Sequence, residues 1–134
     1  MPPDRVFLDA NVLCSAAYGS PGLVRLWELA EQGRAQLVAS SQVEQEARRN
    51  LSTPEQQERL TAYLRGVEFV PLPDPDLPCP VQLPPDDRLV LLAAVAAQAC
   101  VLLTGDRKHF GPHYGRRVLG VLILPPADYL RKQH

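Results

Sequence analysis

Short apolar runs alternate with segments of helical spacing along the whole chain, and that alternation limits the possible folds more than any other feature. Val6-Phe7-Leu8, Gln36 to Ala39, Val67 to Val70, Cys100 to Leu103 and Val118 to Leu124 are brief and apolar, as buried strands are. Asn11 to Tyr18 reads as a short helix closed by the Gly19-Ser20-Pro21-Gly22 turn. Leu23, Leu26, Trp27 and Ala30 are spaced i, i+3, i+4, i+7, which is one apolar helix face, and Gly33 supplies its stop. Ser41 and Glu44 have capping-box spacing and open a helix through about Leu51. Thr53-Pro54-Glu55-Gln56 combines an N-cap, a proline at the first helical position and a glutamine at the third, for a helix reaching Gly66. Asp86 and Asp87 open a strongly apolar helix ending near Ala99, and Pro125-Pro126 starts a last short one carrying Tyr129 and Leu130. Strands alternating with helices predict an α/β fold, a parallel sheet with helices on both faces. Right-handed crossovers put the carboxyl ends of all its strands on one edge, outside which ligands bind.

With 134 residues, 46% of them hydrophobic, the chain is long enough to bury a core and too short for two domains of ordinary size. Residues 1–134 are therefore read as one domain. Pro71 to Pro85 holds seven prolines in fifteen residues, a stiff surface connection within that domain. The formal net charge of -1 excludes steering of nucleic acid by bulk charge, so any such contact rests on a local patch. Cys14, Cys79 and Cys100 are odd in number and form no CxxC pair, which argues for a reducing compartment. The first residues run straight into a strand, not a signal peptide, and Leu89 to Thr104 is too short and too interrupted to span a membrane. A cytoplasmic protein without a membrane segment is expected.

Four acids stand out by position. Asp9 closes the first strand, Asp106 follows the fourth, Asp87 opens the helix before the fourth, and Glu46 lies in the helix after the second. In a parallel sheet all four come to the carboxyl edge if the proline-rich segment returns there. Singly, each has an ordinary explanation: Asp9, Asp86 and Asp87 as helix caps, Asp106 as a turn residue, Glu46 as a solvated charge beside Arg48 and Arg49. Together they need shared protons or a cation, since each like-charge pair at ~4 Å costs on the order of 4 kcal/mol at an effective dielectric of ~20. Hard carboxylate oxygens select Mg²⁺ or Mn²⁺ over zinc, and such ions activate water toward phosphodiesters. Arg107, Lys108, His109, Arg116 and Arg117 flank the last acid and form a candidate phosphate patch. Tyr18 and Tyr114 are candidates for base stacking, and Leu23, Leu26 and Trp27 for the core or a dimer contact.

The same segments carry a family resemblance. Val6-Phe7-Leu8-Asp9-Ala10-Asn11-Val12-Leu13 resembles the opening motif of PIN domains, and Val38 through Glu46 the second motif. Asp86-Asp87 with Leu91-Leu92-Ala93-Ala94 is similar to the third, Leu102-Leu103-Thr104-Gly105-Asp106 to the fourth, and Val121 through Leu130 to the family's final strand and helix. The resemblance is closest to the single-domain, toxin-like branch of the VapC kind. It implies a three-layer α/β/α sandwich on a five-stranded parallel sheet, and metal-dependent cleavage of RNA. It also implies frequent homodimers and, in many members, an antitoxin partner that docks on the early helical region. Carried over by position, Asp9, Glu46, Asp87 and Asp106 are the catalytic metal cluster, with Asn11, Thr104, Ser40 and Asp86 as support. Glu46 is preferred to Glu44, and Asp87 to Asp86, by spacing, Glu44 also being taken as a cap. Many relatives carry an acid where this chain has His109, so no fifth acidic contact is expected; a lone surface histidine is ordinarily without special role. Two alternatives remain: a PIN-like scaffold that binds RNA or protein without cutting, and a haloacid-dehalogenase-type phosphatase. The second needs an acid at Asn11 and a lysine between Ser41 and Arg107, and the sequence has neither.

Overall fold

The computed structural model describes residues 2–133 and places six strands in one sheet, in the order β3-β2-β1-β4-β6-β5. The chain runs β1 (Asp4–Leu8), α1 (Ala10–Ala17), α2 (Val24–Glu31), β2 (Ala35–Ser40), α3 (Ser41–Arg49), α4 (Pro54–Leu64), β3 (Val67–Val70), α5 (Pro85–Ala96), β4 (Val101–Leu103), β5 (Arg117–Val118), β6 (Val121–Leu124) and α6 (Pro126–Arg131). Five strands are parallel. β1 sits at the centre with Val6 beside Leu37 of β2 and Leu8 beside Leu103 of β4, and β6 follows on the far side with Ile123 beside Leu102.

The sixth strand corrects the expected single strand from Val118 to Leu124. Leu119 and Gly120 both have positive φ, 51° and 87°, which folds that segment into a tight hairpin in which Val118 pairs antiparallel with Val121. An apolar residue at a position that favours asparagine or glycine hid the turn. The second helix start also differs by one residue. Ser40, not Ser41, caps α3, its hydroxyl accepting from Val43 N–H at 3.5 Å. Val43 cannot reciprocate, so there is no capping box, and Glu44 pairs instead with Arg48 at 2.8 Å. The box at Thr53 and Gln56 does form.

β1, β2 and β3 step outward in one direction with α1–α4 between them, and α1 packs against α3 and α4. α5 then carries the chain back across the sheet to β4; right-handed crossovers put it on the opposite face. α5 buries five consecutive residues, Val90 to Ala94, so it needs cover on all sides. The proline-rich segment supplies part of it: Cys79, Val81 and Leu83 pack against the core, and the Arg88 guanidinium donates to the carbonyls of Pro75 and Leu77. Leu23, Leu26 and Trp27 are buried, and the Trp27 indole donates to the Tyr63 carbonyl at 2.9 Å. They belong to the core. No helix among the described residues is long and apolar enough to cross a membrane.

Candidate metal centre

β1 and β4 lie side by side while the chain leaves them in opposite directions, so a crevice opens beyond their carboxyl ends. Asp9 ends β1 there and is 3% exposed. One oxygen of its carboxylate accepts from Ala10 N–H at 2.8 Å as the cap of α1; the other accepts from the Thr104 hydroxyl at 2.8 Å. Asn11 clips the two strand ends together, its Nδ2 3.3 Å from Asp9 Oδ2 and its Oδ1 accepting from Gly105 N–H at 2.7 Å. A side chain at 105 would press on that clip, since a Cβ there falls 3.4 Å from Asn11 Oδ1. Thr104 is fully buried; its hydroxyl also accepts from Asp106 N–H, and its carbonyl accepts from the Tyr114 hydroxyl at 2.8 Å. Tyr114 therefore braces the site from below. Tyr18 donates to the Asn50 carbonyl at 2.9 Å, and its ring stays exposed.

Asp106 closes a tight turn. Its Oδ1 accepts from the backbone N–H groups of Lys108 and His109, both at 3.1 Å, which leaves Oδ2 directed at the cleft. The same turn brings the His109 ring back over the acids: Nδ1 lies 2.8 Å from Asp106 Oδ2 and 3.1 Å from Asp87 Oδ2. Asp87 stands in the first turn of α5, which the proline-rich segment delivers to this edge. Glu46 approaches from α3, and Gln42, a turn earlier, donates to the Asp86 carbonyl at 3.1 Å. Glu46, Pro84, Pro85, Asp86, Asp87, Asp106 and His109 line a cleft of about 420 Å³.

The carboxyls in this cleft perturb one another. Burial pushes Asp9 up, against hydrogen bonds from Thr104 and Ala10 that favour its charged form. Burial, then repulsion from Asp9 and Asp86, raises Glu46, with Arg49 opposing. Burial, then repulsion from Asp106 and Asp9, raises Asp87 to about 6, with His109 opposing. Asp106 moves the other way: burial raises it, but hydrogen bonds from the backbone and ring of His109 prevail and hold it below its ordinary value. Of the four expected acids, Asp87 and Asp106 come within ligand distance of one another together with His109; Glu46 lines the same cleft, buried Asp9 repels Glu46 and Asp87, and Asp86 stands at the rim. Ser40 supports the arrangement one step removed, as the cap of the helix that carries Glu46. Arg117 is not brought to the acids; it stands level with Leu122 and acts electrostatically on Cys100, before the start of β4. The reading from sequence missed His109 as a member of the cluster, and of the two arginines it set beside Glu46 it is Arg49 that acts on the carboxyl. The three-residue step from Asp106 to His109, just before Phe110, held the signal, because a residue three places beyond a turn aspartate can fold back over it.

The family profile described as PIN domain matches residues 5–108, from β1 through the loop after Asp106. The chain belongs to the PIN domain family. No curated protein matches the chain. Among solved structures, this PIN domain is similar to a chain of VapBC2 from Rickettsia felis, a complex bound to a DNA fragment from their promoter, at 18% identity and a TM-score of 0.66, over 90% of this chain and 98% of that one. It is also similar to a chain of FitAcB from Neisseria gonorrhoeae, at 15% identity and a TM-score of 0.58, over 91% of this chain and 98% of that one. At such identity the likeness is one of fold, and it confirms the PIN fold with a sixth, antiparallel strand added to the five expected.

Proposed function

We propose that this PIN domain, taken as one unit over residues 1–134, is a metal-dependent endoribonuclease that hydrolyses phosphodiester bonds with water. One observation carries the reading: Asp87 and Asp106 place carboxylate oxygens within ligand distance of one another in a cleft that Glu46 also lines, with Asp9 close enough to repel Asp87 and Glu46. That donor set suits a hard divalent ion, Mg²⁺ or Mn²⁺, held by Asp9, Glu46, Asp87 and Asp106. When bound, such an ion supplies Lewis acidity toward a phosphoryl oxygen and lowers the pKa of water. The residues do the rest. Thr104 and Asn11 fix the Asp9 carboxylate, the turn at Lys108 and His109 fixes that of Asp106, and Arg107 and Lys108 offer charge to the phosphate chain. Among the described residues none lining the cleft carries a hydroxyl or thiol, the Thr104 hydroxyl is buried and donates to Asp9, and the carboxylates are engaged as ion ligands in this reading, so water is the nucleophile.

The likeness to VapBC2 and FitAcB supports a toxin-type nuclease controlled by an antitoxin protein, and the proposal extends to a homodimer in the cytoplasm. The three free cysteines accord with that compartment. The test is cleavage of a mixed RNA pool with Mn²⁺, with EDTA, and with Asp87→Asn in parallel. Cleavage that requires both the metal and Asp87 supports the nuclease. No cleavage in any arm, with no Mn²⁺ binding by calorimetry, would transfer the protein to the scaffold reading.

A further inference from the structure

Three residues past Asp106 the chain carries an imidazole. It does not point to solvent: the one nitrogen Nδ1 faces both Asp87 and Asp106 and is only partly exposed. The three atoms, His109 Nδ1, Asp87 Oδ2 and Asp106 Oδ2, can all serve one ion as ligands. The spacing bears on this. Adjacent ligands on an octahedral ion, each ~2.1 Å from it, stand about 3 Å apart. Nδ1 stands 2.8 Å from one carboxylate oxygen and 3.1 Å from the other, an interval that suits an ion as well as a proton. The backbone N–H groups of Lys108 and His109 hold Asp106 Oδ1, so Oδ2 keeps its place whether a proton or a metal lies between it and the ring.

Resting on the metal-centre reading above, we infer that His109 Nδ1 is a metal ligand and sets which ion this PIN domain prefers. A neutral imidazole with its proton on Nε2 presents the Nδ1 lone pair to the space between the two aspartates. All-oxygen sites suit Mg²⁺; a nitrogen ligand strengthens binding of first-row transition ions along the series from Mn²⁺ onward and does little for Mg²⁺. Replacing an acid by imidazole also removes one negative charge from the crowd at Asp9, Glu46, Asp87 and Asp106. The site gives up electrostatic attraction that all divalent ions share and gains a bond that discriminates among them.

The experiment reads the ligand directly. Electron spin echo spectra of the Mn²⁺-loaded protein should show modulation from a coordinated nitrogen, and His109→Asp should abolish it. In parallel, calorimetric titration with Mn²⁺ and Mg²⁺ should give an affinity ratio that falls on the order of tenfold in His109→Asp. Mn²⁺ bound to the wild-type protein without nitrogen modulation would overturn the assignment of His109 and leave the carboxylate site standing. Absence of Mn²⁺ binding in the wild-type protein would overturn both. The wild-type spectrum decides the matter without reliance on how the variant folds.

Discussion

Asp87 feels both the burial and the charges of the cleft. Folding moves its carboxyl from 3.8 to about 6, through burial first and the charges of Asp106 and Asp9 next. A proton thus binds the folded chain more tightly than the unfolded one, so protonated Asp87 favours folding. That contribution is complete below 3.8 and is lost as pH rises through about 6. Asp106, whose carboxyl is lowered, acts in the opposite sense, but only near and below its ordinary value, so the loss prevails as pH rises toward about 6. In EDTA, urea denaturation from pH 4 to pH 7 should show stability falling with pH, and Asp87→Asn should flatten the slope. A profile that is flat in the wild-type protein would show that the acids do not crowd one another. Asp9, Asp87 and Asp106 could be placed from sequence because each follows or opens an element of fixed direction, and Glu46 because α3 starts at the same edge. His109 could not, because its place depends on the hydrogen bonds with which Asp106 turns the backbone, and nothing in a histidine's identity shows which way its ring will face.

At the scale of elements, the hairpin at Leu119-Gly120 is the weakest match between sequence and shape. Leu119 is 54% exposed and sits at φ 51°, so it buries little and pays in backbone strain. Leu119→Asn should stabilise the protein by roughly 1 kcal/mol, because asparagine tolerates the left-handed region and leucine does not; chemical denaturation would show it as a raised midpoint with unchanged slope. An unchanged or lowered midpoint would mean that Leu119 makes an apolar contact worth more than the strain. The strands and helices themselves were legible from apolar periodicity and from caps such as Thr53-Pro54-Glu55-Gln56, whose residues act locally. The hairpin was not, since alternation cannot distinguish one long strand from two short ones folded on a strained leucine. The one-residue shift of the α3 cap has a similar origin: Ser40 and Ser41 are equal as sequence, and only the end of β2 decides between them.

For the molecule as a whole, the charged cleft makes folding and ion binding one equilibrium. An ion that binds the folded state alone stabilises it by about 2.7 kcal/mol at a hundred times its dissociation constant. Mn²⁺ should therefore raise the melting temperature by several degrees, and Asp106→Asn should abolish most of the shift. An equal shift in that variant would locate the binding elsewhere. The order of the sheet adds something further. Residues before the proline-rich segment build β3, β2 and β1, and residues after it build β4, β6 and β5, so the two portions of the chain meet along the single seam between β1 and β4. Asp9 and Glu46 come from one side of that seam, Asp87 and Asp106 from the other. Within the sheet the protein is in effect two complementary pieces joined by one strap, with α5 laid across β2 and Gln42 tied to the Asp86 carbonyl, and each piece brings half of a charge cluster whose repulsion opposes their union. Apolar pairing of Val6, Phe7 and Leu8 with Val101, Leu102 and Leu103 holds them together, and a cation in the cleft would act as the rivet.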